Sequence, residues 1–262
     1  DSPDTVLYSF TIVNVGLVTT SIVPKASQIA FIIVVLPAPI DPEKAKILQR
    51  FFKTGKGEYA EGDIFLGISV PESRKLAKKY LSLSQQEIKS LLESKLHEER
   101  LIALLILVEN FKRNKKSHLE QRKIFEFYLK NTKCINNWDL VDLSADKIVG
   151  EFAFKDESSI INFLARSQNL WERRIAVVST FAFIKKRKFG ETLAISQLLL
   201  NDEHDLIHKA VGWMLREVGK RDLNVLEIFL KSHYKQMPRT MLRYAIEKFP
   251  EEKRRMYLKG EI

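Results

Sequence analysis

The 262-residue chain reads as an all-α protein, an α-solenoid of HEAT-like helical repeats around a concave basic groove. Three observations predict this. Only 10 glycines and 8 prolines leave few tight turns, which disfavours an all-β sandwich. No period-two alternation runs through 70–262, whereas helical spacing of apolar residues recurs there. Helices that share a small residue also recur, about every 35 residues, as expected for stacked two-helix units.

The elements follow in order. Residues 1–40 contain just three charged side chains, Asp1, Asp4 and Lys25, and two apolar runs at 6–23 and 29–36. Asn14, Thr19, Thr20 and Ser21 interrupt the first run, and the second falls short of the roughly 20 residues a membrane span needs. The acidic start lacks the positive region of a secretory signal. The expectation is a leader outside the functional fold, with 41–262 as the HEAT-like domain and no membrane association.

Asp41-Pro42-Glu43 starts a helix with a capping side chain, a proline at the first position and an acid in the first turn. Ile47, Leu48, Phe51 and Phe52 give that helix an apolar face. The glycine-rich loop 54–62 lacks the spacing of a phosphate-binding P-loop, although it is able to touch a phosphate. A short apolar run at 64–68 leads into Ser69-Val70-Pro71-Glu72, the next helix start. Ser84 with Glu87 and Ser117 with Glu120 read as capping boxes, in which each side chain satisfies the other residue's orphan amide. Further helices are expected near 138–149, 157–167, 171–185, 191–200, 204–220, 223–233, 238–249 and 251–258.

The small residues Ala103, Ala176 and Gly212 lie 73 and 36 positions apart; half the first interval lands near Leu140, and Ala245 follows Gly212 by 33. Matching small residues let one row of helices pack closely against the next. Taking each small site as the origin and advancing about 100° per residue, Trp138, Arg174 and Arg243 fall two positions before it. Trp213, Asp142 and Arg216 fall one, two and four after. These side chains share a sector of successive inner helices, with Arg216 at its edge, and would project into the groove.

Charge agrees with that picture. Residues 41–262 carry 42 basic and 31 acidic side chains, a surplus that attracts polyanions, nucleic acid first. Arg173, Arg174, Lys209, Arg216, Arg239 and Arg243, on or beside inner helices, are the candidate phosphate contacts. The single cysteine, Cys134, excludes an internal disulfide and fits a reducing compartment, so the expected location is the cytoplasm. His204 and His208 are spaced for a metal pair, but no third ligand or HExxH motif accompanies them, and no metal is expected.

Three segments carry a family resemblance. Asn137-Trp138-Asp139-Leu140-Val141-Asp142, Leu170-Trp171-Glu172-Arg173-Arg174 and 209–217 (Lys209 through Trp213 to Glu217) resemble the signature helices of the AlkD-like DNA alkylation repair glycosylases. The starts at Asp41 and Phe65 to Glu72 are similar to that family's first repeat, so the likeness covers about 41–258. It implies a HEAT-like solenoid, monomeric and free of metal or organic cofactor. Its implied substrate is double-stranded DNA containing N3- or N7-alkylated purines, whose N-glycosidic bond it hydrolyses without flipping the base. By position it implies Trp138, Asp142 and Trp213 as the catalytic group and Arg174 as a DNA-backbone contact. Phe51 departs from the pattern, standing where a relative has tyrosine; Asn137 stands where an aromatic can precede the tryptophan.

The residues themselves leave two readings open. A basic groove serves equally a non-catalytic HEAT-like module that binds structured nucleic acid or an acidic protein partner. Asp142 separates the two, because an acid in a polyanion-binding groove helps only where a cation forms.

Overall fold

The computed structural model describes residues 41–262; the leader expected at 1–40 lies outside them. Among the described residues all regular elements are helical, apart from one parallel bridge between Ile64 and Leu96. Helix α1 (Pro42–Phe51) starts where the Asp41 side chain accepts the Lys44 N–H at 3.0 Å. Helices α2 (Val70–Lys79) and α3 (Gln85–Leu92) open with complete capping boxes, at Ser84 with Glu87 as expected and at Ser69 with Glu72, where the sequence predicts a helix start. The box expected at α5 (His118–Lys130) forms by half. Ser117 accepts the Glu120 amide, but the Glu120 carboxylate turns to the Lys123 ammonium at 2.7 Å, the stronger charge-assisted partner.

Between them runs α4 (His97–Arg113), in which every residue from His97 to Val108 is buried. Apolar on nearly all sides, it is the central strut of the N-terminal half. Its first turn is anchored by the loop before α2. The Glu98 carboxylate accepts the N–H groups of Leu66, Gly67 and Ile68 at 2.9–3.2 Å. Gly67 is needed there: its φ is +84°, and a Cβ would lie 2.7 Å from the Asp41 carbonyl oxygen.

The helix expected over 138–149 is broken. Helix α6 (Trp138–Asp142) stops at Asp142, a π-helical turn (Asp146–Gly150) follows, and α7 (Glu151–Lys155) completes the run. Ser144 accounts for the break. Its hydroxyl donates back to the Leu140 carbonyl at 2.5 Å and meets the buried Tyr128 hydroxyl at 2.9 Å, which competes with the regular ladder just past Asp142. Helices α8 (Ser159–Ala165), α9 (Leu170–Ser179), α10 (Phe181–Lys185), α11 (Gly190–Leu198), α12 (Asp205–Gly219), α13 (Leu223–His233), α14 (Arg239–Ala245) and α15 (Glu251–Lys259) follow.

Helices α4, α6 with its π-turn, α9, α12 and α14 form one row, each packed on the next, while α8, α11 and α13 back them. The small residues sit in these contacts: Ala103, Ala176 and Ala245 are buried. A Cβ on Gly212 would come within 2.5 Å of the Met241 carbonyl oxygen and of the Tyr244 Cβ, so α12 and α14 touch backbone to backbone. No helix among the described residues is long and apolar enough to cross a membrane.

Candidate functional site

The first turn of α6, the middle of α9 and the exposed face of α12 converge on one hollow of about 500 Å³. Trp138, Asp142, Arg174, Lys209, Trp213 and Arg216 all line it. Asn137 starts α6 by accepting the Trp138 N–H at 2.8 Å, which places Trp138 and Asp142 one turn apart on the same face.

Of the two carboxylates that line the hollow, Asp142 is the more enclosed. Arg174 grips its carboxylate in a two-point fork, Nε to Oδ1 at 2.9 Å and Nη2 to Oδ2 at 2.8 Å. The remaining Arg174 nitrogen, Nη1, donates to the Leu206 carbonyl at 2.6 Å at the start of α12. One guanidinium therefore ties together the helices that carry Trp138, Arg174 and Trp213. The Asp142 side chain keeps 16% of its surface exposed and the Arg174 side chain 6%. Burial pushes the Asp142 carboxyl above the ordinary aspartate range, and the Arg174 charge and hydrogen bonds pull it part of the way back.

The two indoles are held differently. Phe52 stacks on Trp138 with centroids 4.9 Å apart and planes at 11°, and Phe51 meets it edge-on at 5.8 Å. One face of Trp138 is thereby covered. Tyr59 lies beside it; burial raises the Tyr59 phenol's affinity for its proton, and the neighbouring Trp138 indole lowers it in part. Trp213 is half-buried, with Phe181 tilted against it at 6.2 Å. Trp171 is buried, 8% exposed, and does not line the hollow; its ring meets Tyr59 edge-to-face.

The basic residues divide. Lys209 lines the hollow and pairs with Asp205 at 2.6 Å; Arg216 lines it and pairs with Glu247. Arg174 lines it from below. Arg173 is turned away, its Nε on Asp202 at 2.6 Å and its Nη1 on the Ser167 and Gln168 carbonyls. Arg239 and Arg243 are exposed outside the hollow, and Arg239 donates to the Leu258 carbonyl.

Several lining residues carried no signal in the sequence. Tyr59 arrives on the glycine-rich loop, which is pinned by Gly55 and Gly57 amides on the Glu58 and Glu61 carboxylates at 2.9 and 2.8 Å. Tyr244 is 37% exposed and lines the hollow with Lys53, His204 and Asp205. His204 caps α12 by accepting the Leu206 N–H at 3.1 Å, and His208 hydrogen-bonds to the Asp202 carbonyl. Among the described residues, no group of three His, Cys, Asp or Glu side chains is placed to hold a metal ion.

Fold and hollow together define a helical-repeat protein that sets two acids, one of them locked by an arginine, and two indoles in a basic-rimmed recess. The family described as DNA alkylation repair enzyme matches residues 32–249, and the chain belongs to that family. A structure described as a predicted DNA alkylation repair enzyme from Enterococcus faecalis superposes with a TM-score of 0.65 at 21% identity, over 82% of this chain and 99% of that one. AlkD2 from Streptococcus mutans superposes with a TM-score of 0.53 at 20% identity, over 80% and 98%. The smu.31 protein of Streptococcus mutans UA159 gives 0.53 at 20% identity, over 79% and 100%. At these identities the likeness is one of fold. A comparison with curated proteins gives no match.

Proposed function

We propose that this chain is a DNA glycosylase that hydrolyses the N-glycosidic bond of N3- and N7-alkylated purines in duplex DNA, leaving the lesion stacked. The observation that carries the reading is the Asp142 carboxylate, locked by Arg174 in the hollow that Trp138 and Trp213 also line.

Alkylation at N3 or N7 makes the purine a cation, so it is already a good leaving group. As the C1′–N bond breaks, its electron pair leaves with the base, which departs neutral, and positive charge passes to the deoxyribose. Asp142 stabilises that charge and orients the water that adds at C1′, whose surplus proton goes to the carboxylate or to solvent. The open faces of the two indoles add cation–π attraction of about 0.5–2 kcal/mol each. At about 1.36 kcal/mol per tenfold, both together supply at most about a thousandfold, so the carboxylate must carry a large share. Lys209 and Arg216, on the rim, are proposed to hold the sugar-phosphate backbone. Arg174, whose side chain is 6% exposed, is better suited to positioning Asp142 than to a phosphate.

Methylated duplex DNA incubated with the protein, followed by chromatography of the freed bases, tests this. Release of 7-methylguanine or 3-methyladenine by the wild type and its loss in Asp142→Asn are expected. Wild-type protein that binds duplex DNA and frees no base would transfer the reading to a binding module.

A further inference from the structure

Behind the hollow lies a buried group of charges that the chemistry above does not use. His97, the first residue of α4, is 1% exposed and stands between two carboxylates: its Nε2 is 2.8 Å from Asp139 and its Nδ1 3.2 Å from Asp63. Arg100 reaches the same Asp63 oxygen at 2.6 Å, and Asn137 donates to it at 3.4 Å. Burial pulls the imidazole down, but the hydrogen bonds to Asp139 and Asp63 outweigh it and hold His97 above the ordinary histidine range. A carboxylate faces each ring nitrogen, and the Arg100 Nη2 also lies 3.5 Å from Nδ1, where its charge opposes protonation.

Two separate paths join this imidazole to Trp138. One is a stack of rings: Trp138 on Phe52 at 4.9 Å, Phe52 on Phe65 at 4.8 Å and Phe65 on His97 at 4.3 Å, with interplanar angles of 11°, 22° and 21°. The other runs along the chain, from Trp138 to its neighbour Asp139 and across the 2.8 Å hydrogen bond. Asn137, whose carbonyl caps the Trp138 N–H, touches the network as well. Of the three residues that start α6, Asp139 bonds His97 itself, Asn137 bonds its partner Asp63, and Trp138 connects to it through Phe52 and Phe65.

A core has no need of such a group. Burying ions costs several kcal/mol apiece, and apolar side chains of like volume serve stability as well or better. What the charges add is direction, since a hydrogen-bonded imidazole fixes the position of Asp139 and of the rings stacked on it where a leucine would not. We propose that His97 is a positioning residue for Trp138: it clamps the start of α6 through Asp139 and sets the plane of the indole through Phe65 and Phe52. The inference rests on the glycosylase reading for its kinetic consequence, but its geometric half stands without it.

The test is His97→Phe, which keeps a ring in the stack and removes both hydrogen bonds. In the free, ¹⁵N-labelled protein the Trp138 indole N–H resonance, assigned with Trp138→Phe, should shift or broaden while the other two indole resonances stay in place. With methylated duplex DNA, the single-turnover release rate should fall on the order of tenfold or more, with duplex affinity within about twofold. In a Trp138→Phe background, adding His97→Phe should cost no further rate, because the two act through one group. A general loss of stability would instead multiply through both backgrounds and move all the resonances. Should His97→Phe fail to fold, Asp139→Asn, which keeps an acceptor for the imidazole and removes the charge, takes its place with the same readouts. An unmoved Trp138 resonance, or rate losses that multiply, overturns the proposal. A wild type that frees no base defeats the glycosylase reading instead, and the Trp138 resonance then decides the positioning role alone.

Discussion

Asp142→Asn is the sharpest perturbation available, because it removes one charge and almost no volume. A unit charge pair about 4 Å apart, at an effective dielectric near 20, is worth about 4 kcal/mol. The deoxyribose carries only part of a full charge in the transition state, which leaves about 2–4 kcal/mol. At about 1.36 kcal/mol per tenfold, release should slow by roughly 30- to 1000-fold. The substitution also leaves Arg174 underpaired. Asparagine keeps a carbonyl for the guanidinium and Leu206 still accepts Nη1, so the stability cost should fall below the roughly 3–5 kcal/mol of outright removal of a buried partner. Melting curves run alongside would separate that cost from chemistry. Duplex affinity should hold or rise, since a negative charge leaves a surface that meets phosphates. The assay is single-turnover release of 7-methylguanine from methylated duplex at saturating protein. Loss of less than about tenfold in a folded, DNA-binding variant would refute the assignment of transition-state charge to this carboxylate.

Further outcomes follow from the same geometry. Trp213→Ala should slow release by up to roughly 30-fold, the value of one cation–π contact of about 2 kcal/mol, with a smaller effect on affinity; a loss mainly in affinity would make it a stacking residue. Release should fall as pH drops through the Asp142 ionisation, with the inflection above the ordinary aspartate value, and Arg174→Ala should move that inflection to higher pH by removing the charge that favours the ionised form. If five to eight phosphates are engaged, affinity should fall with salt at a slope of about −0.9 per contact, and Lys209→Ala or Arg216→Ala should each flatten it by about one contact. The raised His97 ionisation stabilises the fold fully below the unfolded value of about 6.5 and is lost as pH rises through the folded value. A melting-temperature series from pH 6 upward should therefore decline more in the wild type than in His97→Phe.

Much of the fold was legible because it is written locally. Asp41, Ser69 and Ser84 announce helix starts through bonds made within three residues, and the helix expected at 223–233 is found at those bounds. Ser117 carried the same signature and lost half of it to Lys123, a competitor that the four-residue motif does not include. The break after Asp142 was hidden for a different reason. It depends on Ser144 meeting Tyr128, sixteen positions away, and helical periodicity carries no information about such a partner. The site divides in the same manner. Facing along repeats brought Trp138, Asp142, Arg174 and Trp213 to one sector, but periodicity fixes a face and not a distance, so the fork between Arg174 and Asp142 was not visible. Tyr59 sits on a loop, where no period exists to place it, and Tyr244 reaches the hollow from the contact that Gly212 makes with α14.

The acids in and beside the hollow decide what its cations can do. Each of three carboxylates already holds a cation: Asp142 has Arg174, Asp205 has Lys209 and Glu247 has Arg216. A phosphate arriving at the rim competes with Asp205, whose side chain is 55% exposed, and with Glu247, 42% exposed. The Lys209–Asp205 pair, exposed on both sides, is worth about 0–1 kcal/mol, so Lys209 can change partners at little cost; the Arg216 side chain is 17% exposed and is the more enclosed of the two. Arg174 is bound on two sides and almost wholly covered, and a phosphate would have to strip it from a carboxylate that burial already disfavours as an ion. Losing its guanidinium would drive Asp142 toward the protonated form, and with it the charge that the sugar requires would be gone. On the proposed reading, grip and catalysis therefore draw on different cations: Lys209 at the surface would exchange its carboxylate for DNA, and Arg174 beneath favours the ionised form of Asp142.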